Sequence, residues 1–339
     1  MPRPLSNPPN PWRSTVVEYL GEPPPAPLRV HEERARSILS QNESEDVPFR
    51  FSLNPYRGCT HACAYCYARP THGYLDLGAG TDFDSQIVVK VNAPELLRRR
   101  FERRSWQGER VAFSGNTDPY QPLEASYELT RRCLEVCLEY RNPVGIITKG
   151  ALVERDLDLL TALARESHLW IALSIPFHDP HLARALEPGA ASIPRRFETI
   201  RRLSEAGLEV GVAVAPIIPG LSEPEVPRVL EAARAAGASH AFRIPLRLPR
   251  EVAPVFLERI AVLGPSRARK IEGAVRELRG GRLNDPDLAT RMQGQGPRWR
   301  AVEQLFSRTC ARLGLETHPH SPETTAFRRP PGPQGELFF

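Results

Sequence analysis

The chain is 339 residues long, 41% hydrophobic and 25% charged, with 45 basic against 40 acidic residues and a net charge of +5. This composition excludes wholesale disorder, and the length suits one large barrel or two smaller units. No apolar run approaches the roughly 20 residues that cross a membrane, and the proline-rich stretch over residues 1–10 is unlike a signal peptide; the expectation is a cytoplasmic protein with no membrane contact. Among the basic residues only Lys90, Lys149 and Lys270 are lysines. Arginines gather at Arg98, Arg99, Arg100, Arg103 and Arg104, and at Arg195, Arg196, Arg201 and Arg202, which reads either as solvated helix faces or as a nucleic-acid footprint. Six cysteines are too few for a disulfide scaffold of this size and suggest metal ligands, reactive thiols or core residues. Three of them, Cys59, Cys63 and Cys66, fall within eight positions, while Cys133, Cys137 and Cys310 are scattered.

In chain order, residues 1–48 read as an extended N-terminal arm, with Pro23, Pro24 and Pro25 and one short helical candidate at 31–39. From Phe51 short β-branched runs alternate with longer amphipathic stretches. Strands are expected at 50–54, 110–114, 144–148, 169–174, 208–215 and 240–244, and helices at 93–104, 126–140, 154–165, 194–206 and 223–236. A further strand or hairpin is expected at 87–91. The alternation argues for an α/β fold of parallel βα units, and six of them suit a partial (β/α)6 barrel over 49–250 better than a doubly wound sheet. Helices at 252–263, 266–279 and 298–313 then form a C-terminal helical extension over 251–326, followed by a flexible tail at 327–339 that ends in Leu337, Phe338 and Phe339.

Directly after the first expected strand stands Gly58-Cys59-Thr60-His61-Ala62-Cys63-Ala64-Tyr65-Cys66-Tyr67, a Cys-x3-Cys-x2-Cys loop. Three thiolates this close converge on one inorganic group only if the backbone curls around it, and Gly58 helps the chain turn in. Zinc is the first rival, but a closed zinc site wants four ligands and no second cysteine hook follows. Three cysteines leave one iron of a 4Fe-4S cluster open to a small molecule.

Cys59-x3-Cys63-x2-Cys66, with aromatic Tyr65 immediately before the last cysteine, resembles the signature of radical S-adenosylmethionine (radical SAM) enzymes. The resemblance implies a radical SAM partial barrel and a 4Fe-4S cluster on Cys59, Cys63 and Cys66. It also implies S-adenosyl-L-methionine on the open iron and an external electron donor of flavodoxin or ferredoxin type, with reductive cleavage to a 5′-deoxyadenosyl radical. Tyr65 would then pack near the adenine. At the carboxyl ends of the strands, where barrels keep their chemistry, Asn116, Thr117 and Asp118 would receive the cofactor's ammonium group. Lys149 or Arg243 would pair with its carboxylate and Ser174 with a ribose hydroxyl. The turn at 217–220 is similar to the strand-five element that lines the adenine in this superfamily.

Within the superfamily, Cys63-Ala64-Tyr65-Cys66-Tyr67 together with Gly115-Asn116-Thr117-Asp118 is similar to the spore photoproduct lyase-related, or DNA repair photolyase-like, branch. The likeness covers about residues 50–245 and, with the helices, extends to about 315. It implies that Tyr65 and Tyr67 are catalytic, returning a hydrogen atom to the product. One departure stands out: Gly115 occupies the position at which spore photoproduct lyase carries its hydrogen-donating cysteine. The expected function is hydrogen abstraction from a nucleic-acid lesion or modified nucleotide. Its alternatives are the same chemistry on a peptide or small metabolite, and a non-catalytic iron–sulfur nucleic-acid-binding protein. The final residues, with Gln334, Leu337 and Phe339, resemble the short peptides by which DNA-replication proteins dock on a sliding clamp.

Overall fold

The computed structural model describes residues 7–8, 27–44, 46–317 and 325–330. All six expected barrel strands form: β1 (Phe51–Leu53), β2 (Val111–Phe113), β3 (Val144–Thr148), β4 (Leu169–Ser174), β5 (Val210–Ile217) and β6 (His240–Pro245). They lie in the order β6-β5-β4-β3-β2-β1, every neighbouring pair parallel, and Leu39–Gln41 closes the β1 edge as an antiparallel strand. The sheet is open, as a partial barrel requires. The crossovers are the expected helices: α1 (Ala93–Glu102), α2 (Leu129–Glu139), α3 (Leu157–Glu166), α4 (Ile193–Glu205) and α5 (Val226–Ala235). The C-terminal extension supplies α6 (Val252–Ala261), α7 (Pro265–Leu278) and α8 (Gly296–Leu313), with α8 packed on α5 and α7. Among the described residues no helix is long and apolar enough to cross a membrane.

Several of the prolines open helices. Pro94, Pro194, Pro227, Pro265 and Pro297 each occupy the first two positions of a helix, where the missing N–H has no intrahelical partner to lose.

The expected helix at 31–39 does not form. Arg29–Glu33 is instead a fully exposed strand, parallel to Gln86–Lys90, which in turn pairs antiparallel with Tyr56–Arg57 in a separate three-stranded sheet. The polar run lacks an apolar stripe to bury, and its backbone groups are satisfied by the ladder. The strand anticipated at 87–91 is the middle of this sheet. Residues 327–330 also differ from a loose tail. Phe327 lies against Phe101 and Tyr140, and Arg329 donates to the carbonyls of Phe101 (3.1 Å), Arg103 (2.7 Å) and Trp106 (3.0 Å). Gln334, Leu337 and Phe339, and with them the clamp-docking expectation, lie outside the described residues.

Strand register divides the residues into two faces. One row runs Phe51, Val111, Val144, Leu169 and the next odd-numbered pairs Leu53 with Phe113; this large apolar face meets the helices. The opposite face carries Ser52, Ala112 and Gly145 in register with Trp170, then Ala172 and Gly211 beside His240. Small side chains line much of this side, and Trp170, His240 and Phe242 fill part of it. There His240 Nε2 accepts from Trp170 Nε1 at 2.5 Å, and the two rings stack at 5.9 Å. Accepting at Nε2 puts the proton of the neutral ring on Nδ1, near Ser239 Oγ (3.2 Å) and Glu209 (3.6 Å).

Burial holds the His240 pKa down to about 4 from 6.5. A second proton would also set N–H against N–H at Trp170. Because the unfolded state takes up this proton first, the stabilisation is complete above about pH 6.5 and is lost as pH falls toward 4, amounting to about 3 kcal/mol by linkage. Urea titrations of wild type and His240→Gln across pH 4–7 should show a shallower pH dependence in the variant. Parallel curves would reject this role.

Candidate functional site

The cysteine loop curls because three separate elements hold it. Gly58 has φ +83°, and a Cβ there would stand 2.8 Å from Ile87 and 2.9 Å from His72, so the turn requires glycine. Cys59 N–H donates to the Phe83 carbonyl (3.1 Å), Ala64 N–H to Leu186 (2.9 Å), and Gln121 bridges Thr60 N–H (3.1 Å) and the Gly58 carbonyl (3.2 Å). Arg69 supplies the strongest clamp. Fully buried, it donates to the Cys63 carbonyl twice (3.0 and 2.8 Å), to the carbonyls of Ala79 (2.9 Å) and Gly80 (3.0 Å), and to Asp84 (2.8 Å).

All six cysteines are free. Burial pushes the Cys59 thiol well up, reinforced by the Asp118 carboxylate and by Cys63 and Cys66, so the three thiols lie within electrostatic reach of one another. No three His, Cys, Asp or Glu side chains among the described residues come close enough to hold a single metal ion. Cys133, Cys137 and Cys310 are buried in the main apolar core.

Beside this loop the carboxyl ends of β3 and β4 build a buried polar network. Lys149 Nζ donates to Ser174 Oγ (2.9 Å), lies 3.8 Å from Glu187, and sits 5.7 Å from the Tyr65 ring centre. Ser174 Oγ donates to the Ala215 carbonyl (3.0 Å). Tyr65, itself buried, donates to Glu187, which also accepts from Arg196 (2.5 Å). Burial pushes the Glu187 carboxyl up and the Arg196 charge opposes it. With one hydrogen bond for its three N–H groups, Lys149 keeps donors for an incoming anion.

Asp118 is committed elsewhere. Its oxygens accept from Thr148 Oγ1 (2.6 Å), Lys149 N–H (2.7 Å) and Tyr120 N–H (2.9 Å), and His61 lies 3.3 Å away. Burial alone would raise its pKa, but the His61 charge and these bonds hold it down to about 2. Asn116 and Thr117 present their N–H groups to Asn54 Oδ1 (2.7 and 3.2 Å), while the buried Thr117 hydroxyl has no partner. Arg243 is not brought to the site. It pairs in register with Val214 on the helix-covered face, where it meets Glu303 of α8 (2.7 Å) and the Phe306 ring (5.1 Å). Strand alternation sends every second residue outward, and Arg243 falls on that parity.

Glu187, Arg196, Arg69, His61 and Asn54 were not anticipated. Arg196 carried a usable signal: Ile193, Arg196, Thr199, Ile200 and Leu203 share the buried face of α4, whereas Arg195, Arg201 and Arg202 pair outside with Glu154 and Glu198. That arginine cluster is thus divided between core and solvent.

Tyr67 is half exposed, and its hydroxyl donates to the Gly115 carbonyl (2.9 Å). Gly115 admits no side chain, because a Cβ would lie 2.5 Å from Ser52 Oγ and 2.6 Å from its Cβ. Gly115→Ala should lose about 1–3 kcal/mol to overpacking, and Ser52→Gly in the same chain should restore most of it. Denaturant midpoints of the single and double variants check this, and an uncoupled pair would refute the contact.

A family model described as the Radical SAM superfamily matches residues 53–233, more than half of the chain. Uncharacterized proteins of Mycobacterium bovis and Mycobacterium tuberculosis are each 40% identical over 215 residues, 62% of this chain and 63% of theirs. The chain thus matches less than two thirds of the length of these relatives. A Pseudomonas phage M6 protein named radical SAM Nalpha-GlyT isomerase is 27% identical over 219 residues, 63% of this chain and 43% of its own. Among solved structures, spore photoproduct lyase complexed with dinucleoside spore photoproduct is similar in fold, with TM-score 0.61, 16% identity, and 85% and 81% of the two chains covered.

Proposed function

Because the chain belongs to the radical SAM superfamily, we propose that Cys59, Cys63 and Cys66 hold a 4Fe-4S cluster beside a bound S-adenosyl-L-methionine. When bound and reduced by an external one-electron donor, this pair supplies a 5′-deoxyadenosyl radical. The single observation that carries the reading is the convergence of the three-thiol loop with Lys149 and Ser174 through the buried Tyr65–Glu187 contact. The donor set fits the two groups. Thiols that desolvation pushes above their ordinary range need a cationic centre to be deprotonated, and Lys149 has donors to spare for a carboxylate. Thr117 adds a buried hydroxyl without a partner.

The chain's own residues then have distinct tasks. Lys149 binds the carboxylate of the cofactor, held in place by Ser174 and by the nearby Glu187. Asn116 and Thr117 line the ammonium side, and Asp118 positions them by fixing the strand-two loop to Thr148 and Lys149. Tyr65 anchors the loop under the adenine. Tyr67 stands where the hydrogen-donating thiol of the spore photoproduct lyase branch would be, its hydroxyl on the Gly115 carbonyl, and returns hydrogen in its place. The substrate is a nucleic-acid lesion or modified nucleotide. The sequence likeness to that branch, the dinucleoside ligand of the similar fold and the name of the phage relative support this assignment. Whether the outcome is lyase or isomerase chemistry depends on how the substrate radical rearranges after hydrogen loss, not on the cofactor site.

Anaerobic reconstitution followed by dithionite and S-adenosyl-L-methionine should yield 5′-deoxyadenosine; a well-formed cluster that yields none would defeat the proposal. Alanine at Cys59, Cys63 or Cys66 should abolish the cluster absorbance, while alanine at Cys133, Cys137 or Cys310 should leave it intact. Tyr67→Phe should retain cofactor cleavage yet slow product formation at least tenfold. Equal product yield in that variant would remove Tyr67 from the hydrogen path.

A further inference from the structure

The seven-stranded sheet has two edges, β6 and Leu39–Gln41, and the C-terminal extension spans the gap between them with two guanidinium groups, those of Arg279 and Arg291, beside a third, Arg247, just after β6. Arg291 binds Asp46 (2.5 and 2.9 Å) and Ser44 (3.0 Å) ahead of β1. The buried Arg279 donates to the carbonyls of Arg291 (3.0 Å), Gln293 (2.6 Å) and, just after β6, Leu246 (2.7 Å). Arg247 is the exception. Among the described residues its one hydrogen bond runs to the Met292 thioether (3.2 Å), a weak acceptor, its buried Nε has no partner, and no carboxylate lies within ion-pair distance.

The carboxylates nearby are already engaged, Asp46 by Arg291 and Asp285 by Thr290 Oγ1 (2.6 Å) and Asp287 N–H (3.0 Å). Burial and the charge of Arg291 both oppose the Arg247 cation, and burial also holds Arg279 down to about 10. Neither guanidinium escapes by losing its proton in the physiological range, so the unpaired charge stands until an anion arrives. Arg247 also lies within electrostatic reach of the half-exposed Tyr67 phenol, next to Cys66. A guanidinium for a backbone anion beside an aromatic face for a base is the arrangement by which single strands are held without reading sequence.

The geometry points to Arg247 as a phosphodiester contact for a single-stranded nucleic-acid substrate, seating one nucleotide beside Tyr67. The inference deepens the nucleic-acid reading above and rests on it. Fluorescence anisotropy of anaerobically reconstituted protein with labelled oligo(dT), over a range of salt, tests it. Wild type should bind with log affinity falling linearly with log salt. Arg247→Gln should bind several-fold more weakly and with a slope shallower by about 0.7, the loss of one single-strand phosphate contact, at unchanged cluster absorbance. Arg247→Lys should keep the slope. A reading independent of the variant's folding comes from phenylglyoxal modification of wild type followed by mass spectrometry, in which oligo(dT) should protect Arg247. An unchanged slope in Arg247→Gln, or no protection, overturns the inference, as does equal competition by a poly-glutamate peptide. Protein that makes 5′-deoxyadenosine but binds no oligonucleotide overturns it while leaving the radical chemistry standing. Arg247-dependent binding without 5′-deoxyadenosine has the reverse meaning.

Discussion

A carboxylate and a guanidinium that scarcely reach water, Glu187 and Arg196, hold the candidate site in one piece. Tyr65 reaches Glu187 from the cysteine loop, Lys149 from the end of β3, and Arg196 ties the pair to α4 and to the Ser174 carbonyl (2.9 Å). Burying such a pair gains little net stability, since desolvation cancels much of the attraction, but removing one partner strands the other at a cost of about 3–5 kcal/mol. The arrangement therefore enforces register. Loop, strand ends and helix fit together in one way, because any slip leaves an unpaired charge inside.

Two further constraints act on the same loop from other directions. Arg69 gathers five hydrogen bonds from beneath, and the short helix Pro180–Leu186 lends its last carbonyl to Ala64 N–H. That helix also delivers Glu187, so the segment between β4 and α4 shapes both the cysteine loop and the polar network. On the opposite flank Ser52 and Gly115 touch so closely that chemistry cannot be added there without first removing bulk. A thiol at Gly115 is excluded by packing as well as by sequence. The hydroxyl of Tyr67 reaches the Gly115 carbonyl beside it, and a phenol holds its hydrogen atom differently from a thiol.

Much of this was legible because the relevant signals are local. Five prolines mark helix starts and β-branched runs mark buried strands, so the alternation of strands and helices and the three-cysteine loop are legible from periodicity and spacing, whereas periodicity alone does not separate a barrel from a doubly wound sheet. Arg29–Glu33 was misread because an exposed edge strand has no period that burial imposes; its partner, Gln86–Lys90, is distant in sequence. Arg243 was placed wrongly because it is the one polar residue at the end of β6, among Phe242, Ile244 and Pro245, and only its pairing with Val214 decides which way it points. Glu187 left no trace at all. It follows a short helix in a loop, and nothing along the chain says that two cations and a phenol will gather around it. Arg196 was hidden among exposed arginines although its helical phase, shared with Ile193 and Ile200, set it apart.

The Trp170–His240 pair has a consequence beyond stability. These residues lie near the amino ends of β4 and β6 and fill a concave face that is otherwise lined by Ala172, Gly211 and other small side chains. The hollow is thus a cup with a floor. A short-lived radical of the proposed kind, formed at its upper end, would meet packed aromatic carbon below and buried polar groups at the sides, leaving the open edge as its route to solvent. Whatever occupies that edge acts as the stopper, so closing the cup against quenching and admitting the reactant become the same event.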